Sequence, residues 1–343
     1  MKKVTIKDVA KYAGVSIGTV SKVLNNKGYV SAAVKERVRD AIEKLNYQVN
    51  AHARSLKSAK SNKIGVIVSD ISNVYMMSLA KTIEDRIRSM NYHMITMSHN
   101  EDPQTEREVL QLVLEQQVDA LILAPTGSRD NVDLIQTVID RNIPVIIVDR
   151  EVEGIVADTI VDDNYYGSYE AISYLHSLGH RKIGVIYGTE TISLGRERLQ
   201  GAWDAVVELG CVADRAYFVP GKFKVEEAYH ATVELLLLPD PPTAIYSCNN
   251  AMTVGMLKAI RDRGLKIPDD ISVIAFGTAN QWELFDPPLT LITQSLKRLG
   301  VETAAILKNR LLMEDSTAFE PKRIVIKPEL LIRGSCAKPK DRR

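Results

Sequence analysis

The chain has 343 residues, 45% of them apolar and 25% charged, with a formal net charge of +1. That is an ordinary soluble globular composition with enough material for two or three domains. Three widely spaced cysteines (Cys211, Cys248, Cys336), no apolar run of bilayer length and no signal peptide in "MKKVTIKDVAKYAGV" exclude a disulfide framework, a zinc cluster and a membrane or secreted protein, leaving a soluble protein of the reducing cytoplasm as the expectation.

The near-neutral total hides an asymmetry. Residues 1–60 hold 13 Lys/Arg against 4 Asp/Glu, a net of +9, while the rest of the chain nets −8. A compact basic segment on an acidic body is the electrostatic footprint of a nucleic-acid-binding head.

The first sixty residues predict three short helices. Thr5 caps the first, with Asp8 at the third helical position, and Gly14 stops it. Ser16 caps the second, "SIGTVSKVLNN" (16–26), in which Val20, Val23 and Leu24 form one apolar stripe. Its opposite face carries Ile17, Gly18, Ser21, Lys22 and Asn25. The third helix follows Ser31 over 32–47, with Val34, Val38, Ile42 and Leu45 at helical spacing. Two helices joined by a tight glycine-containing turn, with a third behind them, describe a helix-turn-helix. Residues 50–57, "NAHARSLK", predict a further short helix capped by Asn50, marginal in isolation, before a polar linker.

From residue 63 apolar runs alternate with amphipathic helices. "KIGVIVS" (63–69), "HMITMS" (93–98), "DALILAP" (119–125) and "PVIIVDR" (144–150) read as parallel strands buried on both faces. The series restarts with "KIGVIYG" (182–188), a near-copy of the first strand 119 residues on. "AYFVPG" (216–221), "TAIYSCN" (243–249) and "SVIAFG" (272–277) follow it. The expected fold is a small all-α helix-turn-helix head plus an α/β body of two doubly wound parallel-sheet subdomains. Ligands of such sheets bind at the carboxyl ends of the strands, and two such rims can face each other across a cleft.

Enzymatic chemistry is poorly represented. There is no Walker A sequence, no Gly-x-Gly-x-x-Gly after a strand and no Gly-x-Ser-x-Gly elbow. His176 and His180 stand four apart, but Gly179 should end the helix between them and no third ligand is near, so no metal or other cofactor is expected. The reading is of a protein that is not an enzyme.

The head sequence "VTIKDVAKYAGVSIGTVSKVLNNKGYVSAAVKERVRDAIEKLNY" closely resembles that of the LacI/GalR family of bacterial transcription regulators. "NAHARSL", "VDDNYYGSYEAISYLHSLGHRKIGVIYG", "RLQGAWDAV", "PTAIYSCNNAMTVGMLKAI", "IPDDISVIAFG" and "PPLTLITQ" extend the resemblance to about residue 335. It implies a periplasmic-binding-protein-like body divided as 63–161 with 292–321 and 162–291 with 322–336, behind a head (1–49) and a hinge and linker (50–62). It also implies a homodimer on an inverted-repeat operator in double-stranded DNA, controlled by a small effector and acting as a repressor.

By the same resemblance the second helix enters the major groove. Thr5, Ser16, Ile17, Gly18, Thr19, Ser21, Lys22, Asn25 and Ser31 would contact DNA, as would Asn50, Ala53, Arg54, Leu56 and Lys57 at the hinge. Leu56 would wedge between base steps in the minor groove, with Arg54 and Lys57 on phosphates. Ile17 offers only apolar contact and Gly18 none, so hydrogen bonding falls to Thr19, Ser21, Lys22 and Asn25. Val49 stands where the family usually has proline.

The effector cleft, carried over position by position, would be lined by Ser69, Asp70, Asn73, Tyr75, Asp149 and Arg150 from one half. Arg198, Phe223, Asn249, Thr278 and Gln294 would line it from the other. Asp149, Arg198 and Asn249 suit hydroxyls, and Phe223 can cover a sugar ring or a base. Gly277, Thr278 and Ala279 stand where an aspartate is usual. With that carboxylate gone and two arginines kept, a positive cleft and a sugar acid or sugar phosphate, rather than a neutral sugar, are expected. A regulator controlled by a protein corepressor and a pure sugar-binding module are the alternatives.

Overall fold

The computed structural model describes residues 4–25, 28–47, 61–278, 282–312 and 320–340. The chain forms two compact units, Met1–Ser61 and Asn62–Arg343.

The first unit is three helices around one small core. Helix α1 (Ile6–Ala13) begins with a capping box, in which the Asp8 carboxylate accepts from both the N–H (2.9 Å) and the hydroxyl (2.6 Å) of Thr5. It ends at Gly14, whose φ of 62° is left-handed, a conformation open to glycine without a Cβ clash. Helix α2 (Ile17–Asn25) starts on Ser16, whose hydroxyl accepts from the Thr19 N–H at 3.1 Å. Helix α3 (Ala32–Lys44) follows Ser31. Val9, Val20, Val38 and Ala41 are completely buried and hold the three together. The third helix is shorter than its apolar spacing suggested: it stops at Lys44, and Asn46 turns left-handed (φ 46°), bringing the Tyr47 N–H back to the Ile42 carbonyl. Leu24 is half-buried rather than buried. Val49 and the whole 50–57 segment lie outside the described residues.

The second unit is built on two six-stranded sheets. In the first, strand β1 (Lys63–Val68) is followed by helix α4 (Val74–Arg88), β2 (His93–Ser98), α5 (Pro103–Gln116), β3 (Ala120–Leu123), α6 (Val132–Asp140), β4 (Val145–Val148) and β5 (Asp158–Asp162). The chain then crosses to α7 (Asn164–Ser177), β6 (Ile183–Tyr187), α8 (Ser193–Glu208), β7 (Phe218–Pro220), α9 (Val225–Leu236), β8 (Ala244–Ser247), α10 (Asn250–Asp262), β9 (Ser272–Gly277) and β10 (Thr290–Thr293). Helix α11 (Leu296–Leu312) and β11 (Arg323–Ile326) return to the first sheet, and β12 (Glu329–Leu331) closes the second.

The strand orders are β11-β5-β4-β3-β1-β2 and β12-β10-β9-β8-β6-β7. The near-copies "KIGVIVS" and "KIGVIYG" therefore occupy the same place in their sheets. All neighbours are parallel except β10 and β12. In the first sheet, alternate residues face opposite cores. Ile64, Val66 and Val68 pack under α4 and α11, while Ile67, Leu121 and Leu123 pack under α5 and α6. The central strands are buried along their length, as continuous apolar runs require, but "HMITMS" lies at the edge and is only partly covered.

Two expected boundaries move. Thr290–Thr293 belongs wholly to the second sheet, paired with β9, and Arg323–Ile326 belongs to the first, paired with β5. The passages between lobes thus lie after Asp162, after Thr293 and after Ile326, instead of at 291–292 and 321–322. Strand pairing decides this, across more than 150 residues for β11 with β5 and with the neighbouring β9 for β10, and local composition cannot.

Candidate functional site

On α2 the exposed face is the one the sequence singled out. Ser16, Ile17, Gly18 and Lys22 are exposed, Thr19 and Ser21 are half-buried, and Val20 and Val23 point into the core. Ser16 and Thr19 hydroxyls also bond each other at 2.9 Å, so the cap and the start of the face are one unit. Asn25 closes the helix. Thr5 and Ser31 are exposed at the starts of α1 and α3. Asn50, Ala53, Arg54, Leu56 and Lys57 lie outside the described residues, as does Ala279.

In the body, the residues named for the cleft fall just beyond the carboxyl ends of strands or on the first two turns of the helices after them. Ser69 follows β1 and is fully buried. Asp70 accepts from the Ser72 N–H and hydroxyl (2.7 and 2.8 Å), and Asn73 caps α4 by accepting from the Tyr75 N–H (3.0 Å). Both side chains are spent on shaping the loop, which presents Tyr75. Its hydroxyl donates to Asp162 at 3.3 Å. Asp149 and Arg150 follow β4 and are buried together, with Nε of Arg150 3.3 Å from the Asp149 carboxylate. Two further bonds of Arg150, at 2.7 and 3.0 Å, go to both carboxylate oxygens of Glu101.

The second lobe faces this rim with Arg198 from α8, Asn249 after β8, Thr278 after β9 and Gln294 after β10. Nε of Arg198 donates to Asn164 (2.8 Å) and Nη1 to the Cys248 carbonyl (2.6 Å), with the guanidinium 3.8 Å from the Phe276 ring centre. Asn249 caps α10, accepting from the Met252 N–H at 2.7 Å. Thr278 is bound through both its N–H and its hydroxyl to the Asn250 carboxamide, each at 3.2 Å. The tip of the Phe223 ring rests on Gly188 at the end of β6, where a Cβ would come within 1.9 Å of the ring. Only glycine lets the ring sit there. Gln294 reaches across to Asp162.

Asp162 is the residue that the sequence reading missed. It ends β5, a strand too short and too polar to stand out, and it lies in the "VDDNYYG" run without a residue pattern that singles it out. Burial pushes its carboxyl up to about 6, with Asp149 adding to the rise and the Gln294 hydrogen bond and Arg198 opposing it. One of its oxygens, Oδ1, is buried without a hydrogen-bond partner, as is the Ser69 hydroxyl. Burial likewise raises the Asp149 carboxyl, against the pull of Arg150 and Arg198. It raises the Tyr75 phenol well above its ordinary range, with Asp162 adding to that rise. The Cys248 thiol is pushed up to about 12 by burial and is no nucleophile.

These groups overturn the expectation of a positive cleft. Arg150 is held between Asp149 and Glu101, and Arg198 is offset by Asp162 and Asp149, so the arginines do not stand unopposed. The histidine pair is also resolved. Helix α7 ends at Ser177, and the buried His180 spends both ring nitrogens, on the Thr243 hydroxyl (2.8 Å) and the Ala337 carbonyl (2.9 Å). That leaves it no lone pair for a metal. Among the described residues, no helix is long and apolar enough to cross a membrane.

A helix-turn-helix head joined to a two-lobed body with buried polar side chains at the facing strand ends defines a DNA-binding regulator with a ligand-binding domain, and comparison with known proteins agrees. Residues 5–50 match the model for bacterial regulatory proteins of the lacI family, and residues 172–336 match a periplasmic binding protein-like domain. The transcriptional regulator DegA of Bacillus subtilis is 34% identical, covering 97% of this chain and 98% of its own. The transcriptional repressor PurR of Haemophilus influenzae is also 34% identical, over 96% of this chain and 98% of its own. The Lac repressor dimer bound to operator and the anti-inducer ONPF superposes with a TM-score of 0.83 at 26% identity, over 98% of this chain and all of that one. The chain belongs to the lacI family of bacterial regulatory proteins. It is a DNA-binding transcriptional repressor with a ligand-binding domain, and not an enzyme.

Proposed function

We propose that two copies of the chain bind an inverted-repeat operator through their α2 helices, and that a small neutral, hydroxyl-rich molecule, a sugar or sugar derivative, controls them from the interlobe cleft. The observation that carries the ligand class is the pair of buried, unpartnered oxygens on Ser69 and Asp162. Buried polar atoms without partners are costly, and ligand hydroxyls both donate and accept. Charge balance at Arg150 and Arg198 favours a neutral molecule over an acidic one. Asp149, Asn249 and Gln294 add polar atoms around the same space, with Phe223 as an apolar cover.

Dimerisation is supported by apolar side chains left in solvent on both lobes. Ile71, Val74 and Met77 are exposed around the start of α4, and Val254, Leu284 and Phe285 on the second lobe. Clustered exposure of this kind marks association surfaces. The solved Lac repressor relative is a dimer on its operator.

Calorimetric titration with matched neutral and acidic sugars tests the ligand class. Tighter binding of the neutral member is expected, and tighter binding of the acid would overturn it. A gel shift against an inverted repeat selected from random DNA, with and without the bound sugar, tests the coupling.

A further inference from the structure

We infer that Glu101 is a specificity determinant of the cleft, its carboxylate occupying the guanidinium fork of Arg150 and so closing that arginine to anionic ligands. The inference rests on the reading of the cleft as a ligand site and deepens it.

The two oxygens of Glu101 lie 2.7 and 3.0 Å from Nη1 and Nη2 of Arg150, the two-pronged arrangement in which a guanidinium also grips a free carboxylate or phosphate. The partners are unequally covered: the Arg150 side chain is 6% exposed and that of Glu101 50%. Glu101 is therefore the outer member, and the arginine is shielded by it. Taking the glutamate away would leave Nε held by Asp149 and Nη1 only weakly engaged by the Thr126 carbonyl at 3.4 Å. Both ends of the fork would then be open to an anion.

The backbone is built to put Glu101 there. Asn100 and Glu101 are consecutive left-handed residues, with φ of 51° and 59°. Asparagine tolerates that region, but glutamate does so poorly. The turn is pinned on both sides. Before it, the His99 ring bonds the Ala124 carbonyl at 2.9 Å and accepts from the Glu101 N–H at 3.1 Å. After it, Asp102 caps α5, accepting from the Thr105 N–H at 2.7 Å.

The same device recurs in the second lobe. After β7, Lys222 and Phe223 are consecutive left-handed residues (φ 48° and 58°), followed by Lys224 at the cap of α9. Counted from the end of the strand, the left-handed pair, the cap and the first helical residue fall at identical positions in both lobes. Glu101 is thus the counterpart of Phe223, and each is thrown over its own rim, one onto Arg150 and the other onto Gly188.

The test uses the full-length protein without effector, with inorganic phosphate as the probe at low ionic strength. Wild type, Glu101→Ala, Glu101→Gln and the double variant Glu101→Ala/Arg150→Gln are titrated calorimetrically. The basic head gives every protein the same background. Glu101→Ala is expected to bind phosphate about tenfold more tightly than wild type, the scale of a charge-assisted fork, and the double variant to lose that gain. Wild-type phosphate affinity in a natively folded Glu101→Ala, or a gain that survives loss of Arg150, would overturn the inference. Should the alanine variant not fold, Glu101→Gln decides by the same comparison, since it keeps the side chain's size without its charge. Titrating wild type with neutral monosaccharides separates the two claims. Failure to bind any of them removes the ligand reading, whereas a missing phosphate gain removes only the role of Glu101.

Discussion

Gln294 donates to Asp162 at 2.5 Å, and the two residues stand at the ends of strands β10 and β5, Asp162 as the last residue of its strand and Gln294 just beyond, in different sheets. One residue on, the Asp163 N–H donates to the Ile326 carbonyl at 2.9 Å. All three passages of chain between the lobes are therefore tied together beside a single carboxylate, which also accepts from Tyr75 and keeps one oxygen free of partners. A group so placed contacts both lobes and the passages of chain between them.

Its titration should be visible in stability. Burial raises Asp162 to about 6, above the value near 4 of an unfolded chain. Between those values the folded protein keeps a proton that the unfolded chain has released. The resulting stabilisation is full below about pH 4 and is lost as the pH rises through 6, a change of about 2–3 kcal/mol. Urea unfolding of wild type and Asp162→Asn at pH 4, 5, 6 and 7 should show wild type losing stability relative to the variant over that interval. A constant difference would refute the assignment.

Arg310 and Asp158 form a buried ion pair at 2.7 Å, with the Lys322 N–H also on the carboxylate. Arg310→Ala leaves Asp158, which is almost completely buried, without its counter-charge. A loss of about 3 kcal/mol is expected, read as a lowered urea midpoint with an unchanged slope.

For the head, Lys22→Ala should reduce affinity for the selected operator by about 10- to 100-fold, the usual worth of a base contact. Binding to random DNA, which rests on phosphate contacts, should persist with its salt dependence. A gel-shift salt series on both DNAs checks this, and equal loss on the two would show that Lys22 serves only phosphates.

Gly188→Ala places a methyl group where the Phe223 ring lies. The ring must leave the rim, and affinity for the neutral sugar should fall by about tenfold, the upper range for one aromatic contact. Calorimetry measures it; unchanged affinity would mean Phe223 does not touch the ligand.

Much of the fold was legible because it is locally encoded. The Thr5–Asp8 cap, the Gly14 stop and the apolar strands each announce themselves within ten residues. What escaped was non-local. Strands β5, β10, β11 and β12 are three to five residues long, and β11 joins its sheet through β5, far back along the chain. The cleft residues on recognisable motifs were placed at the rims, but Asp162 and Glu101 were not foreseen. Glu101 had a signal: the loop "HNEDP" occupies the position in its repeat that "GKFKV" holds in the other. The error about cleft charge followed directly, since two arginines were counted without the carboxylates that folding brings against them.

The matched loops after β2 and β7 bear on how a guest is oriented. Two rims descended from one pattern and left alike would offer a molecule the same chemistry from either side, and it could lodge equally well in two opposed poses. A carboxylate on one rim and an aromatic face on the other abolish that equivalence. On the proposed function, the polar end of a ligand and its apolar end would then have different destinations, and the lobes would sense which way round it sits as well as whether it is there.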